Sequence, residues 1–182
     1  MSYSGTGGGV EYLGLISRFQ SELKGSDLKE APRSDKFLLL LQALFPSSAE
    51  ELSRYTDGIE TSVSMPTSGA QIIRKGSIDA YYGDLVIEFE RSLATKRGEA
   101  EGQLRGYCAG LWNGENPRRS YICIASDGLQ WITYHPRAEK GADLQAEDVA
   151  LEPRETLLVG SDASSQEAFF FSSIDFSSVK AG

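Results

Sequence analysis

The stretch from residue 59 to residue 134 changes from an extended to a helical pattern and back again, and this succession constrains the fold more than any other feature. Three runs with strand character come first, separated by turn formers such as Pro66, Gly69 and Gly83. The runs cover residues 59–65, 71–80 and 85–89. They predict a meander of three antiparallel strands.

A helix and a hairpin are predicted after this meander. Residues 99–112 carry apolar side chains on one helical face, acids in the first turn and Asn113-Gly114 at the end. Residues 121–125 form a short apolar run, and the turn-forming pair Asp127-Gly128 leads into a second run over residues 129–134. Strands on both sides of a helix favour an α/β fold.

Helices are also predicted upstream of residue 59. From Tyr12 onward, apolar residues recur at the spacing of one helical face. A second helix is expected over residues 37–45, after Pro32 and with Ser34 as its cap. Because this run is apolar on nearly all sides, we expect it to be deeply buried. A capping-box pattern then predicts a short helix over residues 49–55.

The chain is long enough for one hydrophobic core, with 182 residues of which 40% are hydrophobic. Residues 2–9 are nearly all small, and we interpret residues 1–10 as a flexible tail. The core is expected to span residues 11–136. The sequence becomes polar and serine-rich beyond that point, so residues 137–182 are interpreted as a C-terminal appendage or linker.

The charge of the chain limits its partners. A formal net charge of −8 repels nucleic acid at long range, so any contact with DNA must be local or supplied by a partner. No apolar run approaches the roughly 20 residues of a membrane span, and the N-terminus lacks the basic and apolar regions of a secretory signal. A cytoplasmic location without membrane contact is therefore expected.

Cysteine and histidine offer little chemistry in this sequence. Cys108 falls on the apolar side of the predicted helix and Cys123 falls within an apolar strand, so two buried thiols are expected rather than ligands or a disulfide. His135 is the only histidine, which excludes zinc sites built from several histidines. It precedes a proline, and we expect it on the surface.

Three acidic residues form the candidate site. Asp79 ends one predicted strand, while Glu88 and Glu90 share a face of the next strand, so a hairpin would bring all three together. The alternative is an exposed acidic strand, since alternation around Ile87 and Phe89 would place both glutamates in solvent. The pattern by itself does not decide between these interpretations.

Together these residues resemble the PD-(D/E)xK nuclease superfamily, particularly the N-terminal nuclease domains of type I and related fused restriction enzymes. In that family an Asp begins a hairpin, an acid two residues before a Lys ends it, and a helix with a Gln-x-x-x-Tyr motif follows. Asp79, Glu88, Gln103 and Tyr107 match this pattern, and residues 121–134 resemble the strand, turn and tryptophan strand that come next. The resemblance implies a restriction-endonuclease-like core, a central mixed β-sheet flanked by helices. Glu90 stands where the family usually has Lys.

The resemblance also implies a metal and roles for the site residues. Asp79 and Glu88 would hold Mg2+, for which Mn2+ could substitute, because carboxylate oxygens suit hard cations. Glu90 could accept a proton from the attacking water or help to hold a second ion. Gln103 and Tyr107, one helical turn apart, would contact DNA or support the acids, unless they lie on a solvated helix face.

Two further assignments stay open. Three cations could replace the missing lysine, although each could equally be a surface residue; they are Lys75, Arg91 and Lys96. Lys96 qualifies only if the turn after Ser92 folds back. Several family members add an acid from the first helices, and the candidates here are Glu22, Glu30, Asp35 and Glu60.

Two functions compete on this sequence. The favoured one is a Mg2+-dependent DNA endonuclease domain of a restriction-modification system, acting on double-stranded DNA with further domains or subunits that supply basic surface. The alternative is a catalytically inactive nuclease-fold module for binding or assembly, which Glu90 and the net charge of −8 motivate. Acyl or glycosidic hydrolysis by the paired acids would leave the Gln-x-x-x-Tyr helix unexplained.

Overall fold

A computed structural model describes residues 9–24, 29–44, 59–66, 73–82, 84–138 and 141–160, together with residues 162, 164–166 and 168. Within these ranges the α-helices are α1 (Gly9–Lys24), α2 (Glu30–Leu44) and α3 (Leu93–Asn113), and a short 3-10 helix covers Ala146–Asp148. The strands are β1 (Ile59–Pro66), β2 (Ile73–Tyr82), β3 (Leu85–Phe89), β4 (Ile122–Ser126), β5 (Gln130–Ala138) and β6 (Val149–Leu158).

The described strands form one six-stranded mixed sheet in which the spatial order repeats the order along the chain. Neighbouring strands are antiparallel except β3 and β4, which pair in parallel from Leu85 with Ile122 to Phe89 with Ser126. A parallel pair needs a crossover connection, and α3 supplies it. The predicted meander, the helix that follows it and the later hairpin are therefore confirmed, as is a mixed sheet flanked by helices.

Each face of the sheet carries its own apolar layer. On one face, α3 packs against the sheet through Leu104, Cys108 and Trp112. On the other face, α1 and α2 cover the strands, and Phe37 of α2 lies 4.5 Å from the Trp131 ring and 6.1 Å from the Phe89 ring between centroids. A helix on either side leaves the central strand β3 buried along its whole length.

The helix α2 differs from its prediction in two ways. It begins at Glu30, so Pro32 lies in its first turn and Ser34 lies inside the helix rather than at its cap. Proline fits the first turn because the amide it lacks would have no partner within the helix. The expectation of burial on all sides is also wrong, since Leu39 is 63% exposed. The helix covers the sheet with one face and turns Leu39 to solvent.

The helix α3 begins six residues before its predicted start at residue 99. Its first turn contains no acid, contrary to the expectation from the sequence. The helix is instead capped from a distance, because Asp127 Oδ2 accepts a hydrogen bond from the amide of Leu93 over 3.0 Å. Its predicted end is confirmed at Asn113, where the Gly114 amide donates to the Leu111 carbonyl.

The turn between β4 and β5 is held by the same aspartate. Asp127 Oδ1 accepts from the amides of Leu129 and Gln130, over 3.0 Å and 2.8 Å. Gly128 adopts φ of 85°, a left-handed conformation that favours glycine, and a Cβ there would collide with Leu23 of α1. The predicted Asp-Gly turn is confirmed, and it ties the hairpin to both layers of helices.

The sheet continues beyond residue 136, where the sequence predicted the end of the core. β5 extends to Ala138, and β6 lies in the segment interpreted as an appendage or linker yet pairs with β5 from Val149 to Leu158. The signal is weak because β6 is an edge strand with Pro153 at its centre and half of its side chains exposed. Edge strands of this kind lack the alternation that marks a half-buried strand.

Some predictions fall outside the described residues. These are most of the tail over residues 1–10, the short helix over residues 49–55 and most of the serine-rich stretch after residue 160. Among the described helices, none combines the length and the apolar character that a membrane span requires.

Candidate functional site

The hairpin of β2 and β3 brings the first two predicted site residues together. Ala80 pairs with Ile87, so Asp79 and Glu88 lie next to this pair on the two neighbouring strands. Asp79 Oδ2 accepts a hydrogen bond from the Phe89 amide over 2.8 Å. The half-buried Asp79 carboxylate thus fixes the end of the hairpin from which Glu88 and Glu90 project.

Both glutamates are buried, which decides between the two interpretations of the strand. Glu88 is 4% exposed and Glu90 is 2% exposed, so the exposed acidic strand is wrong. The alternation of β3 explains the burial: Leu85, Ile87 and Phe89 face the α1 and α2 layer, so Glu88 points towards α3. Glu90 follows the strand, and its amide donates to the Ser126 carbonyl over 2.8 Å. We call Asp79, Glu88 and Glu90 the acid cluster.

Tyr107 of α3 meets this cluster from the other side. Its ring is 1% exposed, and its hydroxyl donates to Gln103 Oε1 over 3.1 Å. Burial raises the pKa of Tyr107, and the neighbouring negative charges of Glu88, Asp79 and Glu90 raise it further. The phenol therefore stays protonated and acts as a hydrogen-bond donor beside the carboxylates. A fully solvated helix face is excluded for Tyr107, while Gln103 is half-buried.

Lys96 is one of the three candidate cations, and the fold brings it to the acid cluster. The turn after Ser92 does fold back, since the Lys96 amide donates to the Ser92 carbonyl over 3.0 Å. Lys96 Nζ then lies 3.4 Å from Glu90 Oε2 and 3.0 Å from Glu99 Oε2. The hydrogen bond with Glu99 and the charge of Glu90 raise the pKa of Lys96. Arg91 is exposed, and the side chain of Lys75 lies outside the described residues.

Asp127 is a supporting residue that the sequence did not single out for the site. Its carboxylate caps Leu93, the first residue of α3 and three residues before Lys96, and its carbonyl accepts from Arg33 Nη1 over 2.6 Å. The position of Lys96 against Glu90 therefore depends on a turn about 30 residues further along the chain. Only the local Asp-Gly pair was visible in the sequence, and it predicts a turn rather than a distant cap.

The upstream acids do not join the cluster where their side chains are described. Glu22 of α1 forms ion pairs with Arg18 and Lys36 on the opposite face of the sheet. Asp35 is exposed on α2. The side chains of Glu30 and Glu60 lie outside the described residues.

The two cysteines are buried free thiols, as predicted. Cys108 of α3 and Cys123 of β4 are fully buried, with their sulfur atoms 3.3 Å apart. The hydrogen bond with Cys108, together with burial, raises the pKa of Cys123 well above its usual value. A thiol of this kind is a poor nucleophile. His135 is exposed on β5, which confirms its predicted surface position.

The acid cluster offers the donor atoms that a hard divalent cation prefers. Three carboxylates present oxygen ligands, which Mg2+ prefers, and the positive charge of Lys96 offsets one of their three formal charges. In the described part of the chain, no three His, Cys, Asp or Glu side chains are already gathered as closely as an enclosed ion requires. Enclosing an ion here would need carboxylate rotations.

Comparison with known proteins adds no relative. No family model matches the chain, and neither a curated protein nor a solved structure shows significant similarity to it.

Proposed function

We propose that the chain is a Mg2+-dependent DNA endonuclease domain of a restriction-modification system, with a restriction-endonuclease-like core. The observation that carries this proposal is the burial of Glu88 and Glu90 beside Asp79, with Tyr107 of α3 as a hydrogen-bond donor at the same place. Buried carboxylates of like charge are costly unless a cation or donors compensate them. The burial of these carboxylates between the sheet and a helix favours a functional role.

The residues divide the work of phosphodiester hydrolysis among them. Asp79 and Glu88 would hold Mg2+, which when bound screens the phosphate charge and acidifies the attacking water. Glu90 would accept the proton that the water loses. Tyr107, which stays protonated beside Glu88, donates its single hydroxyl proton to Gln103 and lines the acid cluster on the side of α3. Gln103, which accepts from Tyr107 and is half-buried, can turn its amide towards the edge of DNA.

The partners follow from charge. A chain with a net charge of −8 would bind double-stranded DNA weakly and with a steep dependence on salt. Further restriction-modification domains or subunits would therefore supply the basic surface and select the target sequence.

A second function is favoured by one specific observation. Glu90 replaces the usual lysine and already forms an ion pair with Lys96 over 3.4 Å, with its side chain only 3% exposed. Such a pair could permanently offset part of the negative charge of the acid cluster in an inactive nuclease-fold module for binding or assembly. The two functions differ in their response to metal and to substitution of Glu90.

Metal response tests the site itself. Mg2+ at about ten times its dissociation constant should add roughly 1.4 kcal/mol to the free energy of unfolding. For a chain of this size the melting temperature should rise by about 3–6 °C. Glu88→Ala should abolish the rise, while the control Glu155→Ala, at an exposed position on β6, should keep it. Equal responses of wild type and Glu88→Ala would rule out the site.

Cleavage of plasmid DNA separates the endonuclease from the inactive module. The wild type should nick or cut plasmid with Mg2+ or Mn2+ and not in EDTA, and Glu90→Lys should reduce this activity if Glu90 accepts a proton. Activity that is absent from the wild type and appears in Glu90→Lys would favour the inactive module. In that case the substitution restores the usual family pattern.

A further inference from the structure

Lys96 occupies a position in α3 that helix electrostatics disfavour. It lies in the first turn of the helix, where unpaired amides create a partial positive charge and acidic residues are preferred. The first turn contains no acid, and the first acid of α3 itself is Glu99, one turn further on. The negative charge of Glu90, whose Oε2 lies 3.4 Å from Lys96 Nζ, accounts for a cation at this end of the helix.

Lys96 forms ion pairs with two carboxylates that differ strongly in exposure. Glu90 is buried, with a side chain 3% exposed, whereas the side chain of Glu99 is 66% exposed. The lysine itself is 38% exposed, so its ammonium group lies at the rim between the acid cluster and solvent. It can therefore leave Glu90 and keep its hydrogen bond to Glu99 by rotation of its own side chain.

We propose that Lys96 is the resident counter-ion of the acid cluster and that a divalent cation displaces it from Glu90 towards Glu99. This inference rests on the proposed function, because it takes the acid cluster to be the site of the cation. Without the ion, the lysine compensates the buried carboxylates. With the ion, the ammonium group is released at the rim, where it can meet a phosphate oxygen of DNA.

If a divalent cation displaces Lys96 from Glu90, removal of the lysine should have opposite effects on metal affinity and on cleavage. Lys96→Met removes the competitor, so Mn2+ measured by calorimetry without DNA should bind roughly 3–10 times more tightly. Cleavage at saturating Mn2+ should fall, because no ammonium group then meets the phosphate. Lys96→Arg should restore the wild-type affinity. Lys36→Met, which breaks the ion pair with Glu22 on the opposite face of the sheet, is the control and should leave the affinity unchanged.

Glu99 gives a second test that general electrostatics do not mimic. Glu99→Gln deprives Lys96 of its other partner, so Mn2+ should bind more weakly than in the wild type. In a Lys96→Met background the same substitution should have little further effect, because Glu99 acts through the lysine. Additive effects in this double-mutant cycle would refute the displacement of Lys96 by the ion. Lys96 and Glu99 would then influence the ion independently, through long-range electrostatics.

The outcomes separate this inference from the proposed function. Tighter Mn2+ binding by Lys96→Met, with no cleavage by any variant, would support the counter-ion and refute the endonuclease. Wild-type cleavage together with unchanged Mn2+ affinity in Lys96→Met would refute the counter-ion alone. Failure of the wild type to bind Mn2+ would overturn both.

Discussion

Replacement of Asp127 should destabilise the protein more than replacement of an exposed acid such as Asp35. The carboxylate accepts three backbone hydrogen bonds: Oδ1 accepts from Leu129 and Gln130, and Oδ2 accepts from Leu93 at the start of α3. Asp127→Ala leaves all three amides without this acceptor. A lost helix cap costs about 1 kcal/mol, and hydrogen bonds to charged groups contribute about 1.5–3 kcal/mol each when well buried.

Asp127 is only half-buried, so the lower end of these ranges applies and water will replace part of the loss. We expect Asp127→Ala to lower the free energy of unfolding by about 2–4 kcal/mol. Asp127→Asn should cost less, because its amide oxygen can still accept from the turn amides while its NH2 group faces the Leu93 amide. An intermediate loss of about 1–2 kcal/mol is expected for the asparagine.

Urea denaturation followed by far-UV circular dichroism would measure these losses. Asp35→Ala is the matched control, since Asp35 is exposed on α2, and its effect should lie within about 0.5 kcal/mol. A loss for Asp127→Ala no larger than that of the control would refute the distant cap. An asparagine variant less stable than the alanine variant would show that the amide contacts differ from those described.

Two further predictions concern the loop after α3 and the glycines. Burial raises the pKa of Glu115, but hydrogen bonds from Tyr121 and Arg119 outweigh burial, so the net effect is a lowered pKa. The Glu115 carboxylate therefore stabilises the fold above its unfolded pKa. That contribution is lost as pH falls through its folded pKa. The stability difference between wild type and Glu115→Gln should therefore shrink from pH 7 to pH 3 in urea titrations, and a constant difference would contradict the linkage. Gly128→Ala should cost about 1–2 kcal/mol because of its positive φ, whereas Gly102→Ala in the open middle of α3 should gain about 1 kcal/mol; the same sign for both in thermal melts would be inconsistent with their conformations.

The elements that the sequence predicted well are those whose signals are local. The hairpin of β2 and β3 follows from extended runs around a turn, and it places Asp79 and Glu88 on neighbouring strands, next to the Ala80–Ile87 pair. The end of α3 was marked by Asn113-Gly114. In each case the residues that determine the structure are neighbours along the chain, so periodicity and turn chemistry are sufficient.

The features that the sequence did not predict depend on distant partners. The start of α3 at Leu93 is stabilised by Asp127, which follows it by more than 30 residues. The burial of Glu88 and Glu90 depends on the packing of α3 over that face of β3, because alternation alone would leave them in solvent. The choice of Lys96 among three candidate cations required the path of the turn at Ser92, which sequence spacing does not give.

The strand order has a consequence for how the acid cluster forms during folding. Among the described strands, β3 and β4 alone pair across a long connection, which contains all of α3, while the other pairs are hairpin-like neighbours. Closing a longer loop costs more chain entropy and slows the pairing that depends on it. We expect the strands within each half, β1–β3 and β4–β6, to pair first. The two halves would then join when α3 packs against the sheet. The carboxylates of one half meet the tyrosine and the lysine of the helix at that moment, so the candidate site would report on the last stage of folding.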